Sequence, residues 1–150
     1  FRAIPTVDPH PPAVAGMHFF GIVQYVGPDR TADWTEFYSQ LMGFTPLPRQ
    51  VRFGIMPSGL LLESPCRKFF LQLIEPDESA RFAAMDEHLQ RVGLGTPDVT
   101  AAVASLEKRG VEFLATDRVH SSERGALTKP LLGGMMFELV KSTPPGGGER

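Results

Sequence analysis

The imidazoles of this sequence are His10, His18, His88 and His120, and its one thiol is Cys66. Metal, acid-base or nucleophilic chemistry must be assembled from these and from carboxylates. Glu138 is the carboxylate best placed for such work, because it interrupts the apolar run MMFELVK at 135–141. A charge turned inward on a sheet needs a partner to offset its desolvation. Gln72 occupies the matching place in FFLQLIE at 69–75, and Arg91 stands in HLQRVGLGT at 88–96. An inward arginine has two readings, both open at this point: a structural ion pair with Glu138, or a two-pronged clamp for a substrate carboxylate. His120, in VHSSERGAL, is placed where a polar loop could reach a pocket mouth and exchange protons, although a surface role is the commoner one for histidine. His10 is expected in an exposed connector, and Cys66 as an unreactive thiol.

The elements that must position these residues are read from an internal repeat. PDRTA at 28–32 recurs as PDVTA at 97–101, and FFLQLIE at 69–75 recurs in character as MMFELVK. Each unit opens on a strand-like run, HFFGIVQYV at 18–26 and HLQRVGLGT at 88–96, and a helix follows each. In the first helix Trp34, Phe37, Tyr38 and Leu41 fall at i, i+3, i+4 and i+7, which predicts one apolar stripe lying on a sheet, with Gly43 as a left-handed terminator. In the second, Thr96 is the expected N-cap, Val99, Val103 and Leu106 form the stripe, and Gly110 ends it. Extended pieces follow at 45–47, 53–56, 60–63 and 69–74, then at 112–115 and 135–141. The fold class is therefore α+β: paired βαβββ modules, 17–76 and 86–141, forming a curved, half-open barrel-like sheet with helices outside. Residues 1–16, rich in proline, read as a linker, and 142–150 as a disordered tail. Phe1 in place of Met suggests a piece of a longer polypeptide with a further N-terminal region.

Strand alternation assigns faces. The side of each first strand beneath its helix must be apolar, which selects Val92 with Leu94, and Phe20 with Ile22. That choice turns Arg91, Gly93 and Gly95 inward, and also Gly21, Val23 and Tyr25. His18 and His88 then point away from the cavity. Phe137 and Leu139 pack under cover and Glu138 faces in. Gly21, Gln72, Arg91 and Glu138 are thus expected to ring one site.

Composition removes several function classes. The 150 residues are 42% apolar, enough for one core, and 15 Lys plus Arg against 17 Asp plus Glu leave a net charge of −2 with no run of either sign. Nucleic acid is not an expected partner. A single cysteine excludes an internal disulfide framework and a multi-cysteine zinc site, and suits a cytoplasmic location. No apolar stretch approaches a membrane span. The glycines of GGGER and Gly133–Gly134 lack the strand-loop-helix context of a phosphate cradle.

Four stretches, WTEFYSQLMGF at 34–44, LQLIEP at 71–76, LGTPDVTAAVASLEKRGVEFL at 94–114 and LTKPLLGGMMFELVK at 127–141, resemble the vicinal-oxygen-chelate superfamily. Within it they are similar to the C-terminal half of 4-hydroxyphenylpyruvate dioxygenase. The resemblance implies a small-molecule pocket for an acidic metabolite such as an organic or 2-oxo acid, and pairing between chains is common on this architecture. It also implies iron(II) held by two histidines from the first strands and a glutamate from the last, the ligand set of a non-haem dioxygenase. Glu138 matches the glutamate. The histidine positions, however, fall on Gly21 and Arg91, and His18 and His88 lie three residues earlier. The place of a family glutamine near the substrate falls on Gly125. The resemblance therefore leads to a dioxygenase-like domain with a degenerate metal site and no assigned cofactor. The alternative is an active iron(II) or other divalent-metal dioxygenase or lyase using His18, His88 and Glu138, with a slipped register or a bulge in each first strand bringing both histidines inward.

Overall fold

The computed structural model describes residues 13–51, 59–76, 87–115 and 124–143. The extended piece expected at 53–56, His10 and His120 lie outside them. In chain order the elements are β1 (His18–Tyr25), α1 (Thr31–Met42), β2 (Thr45–Pro46), β3 (Leu60–Glu63), β4 (Phe70–Ile74), β5 (His88–Thr96), α2 (Val99–Glu107), β6 (Gly125–Leu127) and β7 (Met136–Lys141). Seven strands form one mixed sheet in the order β2-β3-β4-β1-β5-β7-β6, not closed into a barrel. The two expected units meet where β1 pairs antiparallel with β5. Within the units β1 runs parallel to β4, and β5 runs parallel to β7. The piece expected at 112–115 contributes a single bridge, Phe113 to Thr128.

Both helices cover the same face. Under α1, Trp34 and Tyr38 pack with Ile22 against Val26, Leu62, Leu71 and Leu73, while Tyr38 Oη donates to Gln24 Oε1 at 2.7 Å. Under α2, Val99 and Ala102 close on Leu139, joined by Leu94, Val103 and Leu106. Ile22 pairs with Val92, so the two clusters share one side of the sheet and leave the other free of helices. The expected stripe on α1 is only partly covered. Phe37 is 41% and Leu41 74% exposed.

Local signals fix the helix ends. Gly43 ends α1 in the left-handed region at φ 72°, as its type allows. The α2 N-cap is Asp98 rather than the expected Thr96. The Asp98 carboxylate accepts from Ala101 N at 2.9 Å, whereas the Thr96 hydroxyl donates back to Ala15 O. The start of α1 is satisfied from a distance: Glu75, at the end of β4, accepts from the Thr31 hydroxyl at 2.6 Å and from the Thr31 and Asp29 amides. No helix among the described residues is long and apolar enough to cross a membrane.

Candidate functional site

The helix-free face of the sheet carries the polar residues. Gly93 is in register with both Gly21 and Glu138, Val23 with both Arg91 and Gln72, and side chains at paired positions share a face. Gly21, Gln72 and Glu138 line one small cavity together with Phe20, Phe70 and Gly93. Its volume is about 20 Å³, the room of about one water. Arg91 joins this group through Glu138. Its Nε donates to Glu138 Oε2 at 2.7 Å, with side chains only 1% and 8% exposed. The geometry is that of a charge-assisted bond in a low-dielectric setting, where each charge cancels much of the other's desolvation cost.

Two β-bulges change the face assignment read from simple alternation. The ladder between β1 and β5 is interrupted between Phe19 and Gly21, and again between Val23 and Gln24, where the partners are Arg91 and Leu89. Phe20 and Gln90 are therefore the extra residues, and each brings one more side chain to the helix-free face. Phe20, expected under α1, instead lines the cavity, its ring tilted against Phe70 with centroids 5.2 Å apart. Gln90 Oε1 accepts from Arg91 Nη1 at 2.9 Å, and its amide nitrogen donates to Met136 Sδ. Neighbours along a regular strand cannot meet this way, because their side chains leave opposite faces.

The same bulges reverse the expected orientation of both histidines. His18 pairs with Gly95, and its ring occupies the space a Cβ of Gly95 would need, with Nε2 3.4 Å from Ser142 Oγ. His88 pairs with Tyr25, their rings 5.7 Å apart. Both lie on the helix-free face, but at opposite ends of the β1–β5 ladder. At about 3.3 Å per residue the length of β1 separates them by roughly 20 Å. The alternation argument missed Phe20 and Gln90, although a signal existed: both histidines stand three residues before the positions implied by the resemblance, and an equal odd shift in two related strands marks an equivalent bulge in each.

These residues do not fit the metal that the resemblance implies. One ion cannot reach His18 and His88 together. Glu138 already faces a guanidinium, whose fixed positive charge opposes a divalent cation beside it. Gly21 cannot bear a side chain on this backbone, since a Cβ there would lie 2.2 Å from the Phe70 carbonyl oxygen. Among the described residues, no three histidine, cysteine, aspartate or glutamate side chains gather as a metal-holding group. The Cys66 thiol is exposed on the turn after β3, away from these residues, with its pKa pulled below the ordinary value chiefly by hydrogen bonding with Ser64.

A second charged cluster joins the two units just beyond the end of the β1–β5 ladder. Glu87, just before β5, accepts from Gly27 N at 3.0 Å and from Arg30 Nε at 3.1 Å, and Arg30 also pairs with Asp33. The Arg30 bond, then the Gly27 amide, hold the Glu87 carboxyl down to about 2. This cluster ties strand to helix and faces solvent.

No family model matches the chain, and no curated protein matches it in sequence. Solved structures do match in fold. Methylmalonyl-CoA epimerase from Mycobacterium tuberculosis superposes with a TM-score of 0.69 at 24% identity, covering 90% of this chain and 95% of that one. A mutant 4-hydroxymandelate synthase from Streptomyces coelicolor matches with a TM-score of 0.63 at 15% identity, over 88% of this chain and 50% of its own length. A xylose isomerase-like TIM barrel/4-hydroxyphenylpyruvate dioxygenase fusion protein matches over 88% of this chain and 27% of that one, with a TM-score of 0.54 at 16% identity. The likeness to these structures is one of fold, and at these identities fold similarity does not assign a reaction.

Proposed function

We propose that this chain is a 4-hydroxyphenylpyruvate dioxygenase-like domain that binds a small organic acid, of the 2-oxo acid class, without a metal. One observation carries the reading: on the helix-free face of the sheet, Arg91 is buried against Glu138 beside Gln72. A resident guanidinium supplies positive charge and directional donors where the resemblance implies an ion, and it needs no free histidines. The aromatic pair Tyr25–His88 lies on the same face as Arg91, two aligned pairs further along the ladder, and offers a ring surface to an aromatic acid.

The room beside Glu138 is too small for such an acid. The ligand therefore lies over the helix-free face and approaches the guanidinium from the side of Tyr25 and His88. The test is a titration with phenylpyruvate in excess EDTA, followed through the Arg91 Nε–H resonance. A saturable shift that EDTA does not alter is expected. No shift, or a shift that appears only when iron(II) is supplied, would reject the reading.

A further inference from the structure

We infer that Gln90 is an internal stand-in for the ligand, its amide carbonyl holding the place at Arg91 that a neutral carbonyl oxygen of the bound molecule takes. The inference rests on the acid-binding reading above and names what the guanidinium selects. Three observations lead to it. Gln90 is the bulged residue of β5, so its side chain reaches the same face as Arg91 although the two are consecutive. Its Oε1 accepts from Arg91 Nη1 at 2.9 Å, a charge-assisted bond from guanidinium to a neutral oxygen. Its other end is held weakly, by a thioether acceptor at 3.4 Å on Met136, so little opposes its departure.

Charge decides which ligand oxygen is wanted. Glu138 already balances Arg91 at 2.7 Å, and a second carboxylate pushed against this buried pair would leave net negative charge in a desolvated place. A ketone, amide or thioester oxygen replaces the Gln90 carbonyl without that penalty. In a 2-oxo acid the oxo group is that oxygen, and the carboxylate stays toward water. Gln90 is then a specificity residue: its bond to Arg91 must be given up before the ligand bond forms, so it sets how tightly the site binds.

The experiment compares wild type, Gln90→Ala and Gln90→Glu in EDTA, each titrated with phenylpyruvate and with 3-phenylpropionate, the same acid without its oxo group. Losing one competing hydrogen bond is expected to tighten phenylpyruvate binding by Gln90→Ala about 3- to 10-fold, with 3-phenylpropionate little changed. Gln90→Glu keeps the size and places a charged acceptor on Arg91, so it is expected to lose phenylpyruvate binding. A purely structural glutamine would not improve ligand affinity when removed. If wild type binds phenylpyruvate and Gln90→Ala binds it equally or more weakly, the stand-in role is wrong while acid binding survives. If neither wild type nor Gln90→Ala binds it, both ideas fall together. Should Gln90→Ala fail to fold, unchanged binding by Gln90→Glu overturns the inference by itself.

Discussion

Arg91 and Glu138 meet diagonally across two parallel strands: Arg91 is in register with Met136 and Glu138 with Gly93, and the guanidinium reaches back to close the pair at 2.7 Å. The glycine between them on the same face of β5 keeps that path open, since Gly93 presents no side chain beside the carboxylate. Burial makes each partner depend on the other.

Removing one partner leaves an uncompensated charge in the sheet. Arg91→Ala is expected to lower unfolding free energy by about 3–5 kcal/mol, whereas Arg91→Met combined with Glu138→Leu should recover most of that loss by replacing the pair with apolar volume. Urea denaturation of the three variants checks this. Equal destabilisation by the single and double changes would show that the loss is not one of charge pairing.

Gly21 and Gly93 are in register, yet they differ in what a methyl group would meet. At Gly21 a Cβ runs into the Phe70 carbonyl oxygen at 2.2 Å, while at Gly93 the nearest atoms are 3.4 and 3.5 Å away. Gly21→Ala should therefore cost about 3 kcal/mol, at the upper end for overpacking, and Gly93→Ala much less. The same contact predicts that Gly21→His with Arg91→His does not create an iron site. Thermal melts of the two alanine variants settle the first point, and equal melting temperatures would refute the backbone contact.

Much of this arrangement was legible in the residues, and its limits have a physical cause. The repeat gave the paired units, and alternation placed Arg91, Gly93 and Glu138 on one face because β5 is regular from Arg91 onward. It misplaced His18, Phe20 and His88 because alternation holds only between bulges, and one inserted residue reverses every side chain beyond it. Gln90 was missed for the same reason. The α2 N-cap was misread because Thr96 and Asp98 are both good capping types, and the choice between them depends on Ala15, 81 residues away, which takes the Thr96 hydroxyl.

Asp98 is the single side chain capping α2 through Ala101 N. Asp98→Ala is expected to cost about 1 kcal/mol, and Thr96→Val to leave the helix start intact. Chemical denaturation with far-ultraviolet circular dichroism measures both. A larger helical loss from Thr96→Val would reassign the cap.

Acid stability should depend on Glu87. Its carboxyl is held at about 2 against an ordinary 4.5, chiefly by the Arg30 guanidinium and the Gly27 amide, so the folded state favours the charged form. That contribution is present above pH 4.5 and is lost as pH falls from there toward 2. Glu87→Gln should flatten the fall in melting temperature across this window and leave behaviour above it parallel to wild type. Because the group faces solvent, added salt should shrink the difference. A wild-type melting profile that is flat through this range would contradict the assignment.

A guanidinium stands at Glu138, where the resemblance in sequence implies an ion. The most direct measurement is the metal content of protein purified without chelator, repeated after dialysis against iron(II), manganese(II) and zinc(II). Less than stoichiometric metal, unchanged by Glu138→Gln, is the predicted result. One equivalent of bound metal that Glu138→Gln abolishes would contradict it.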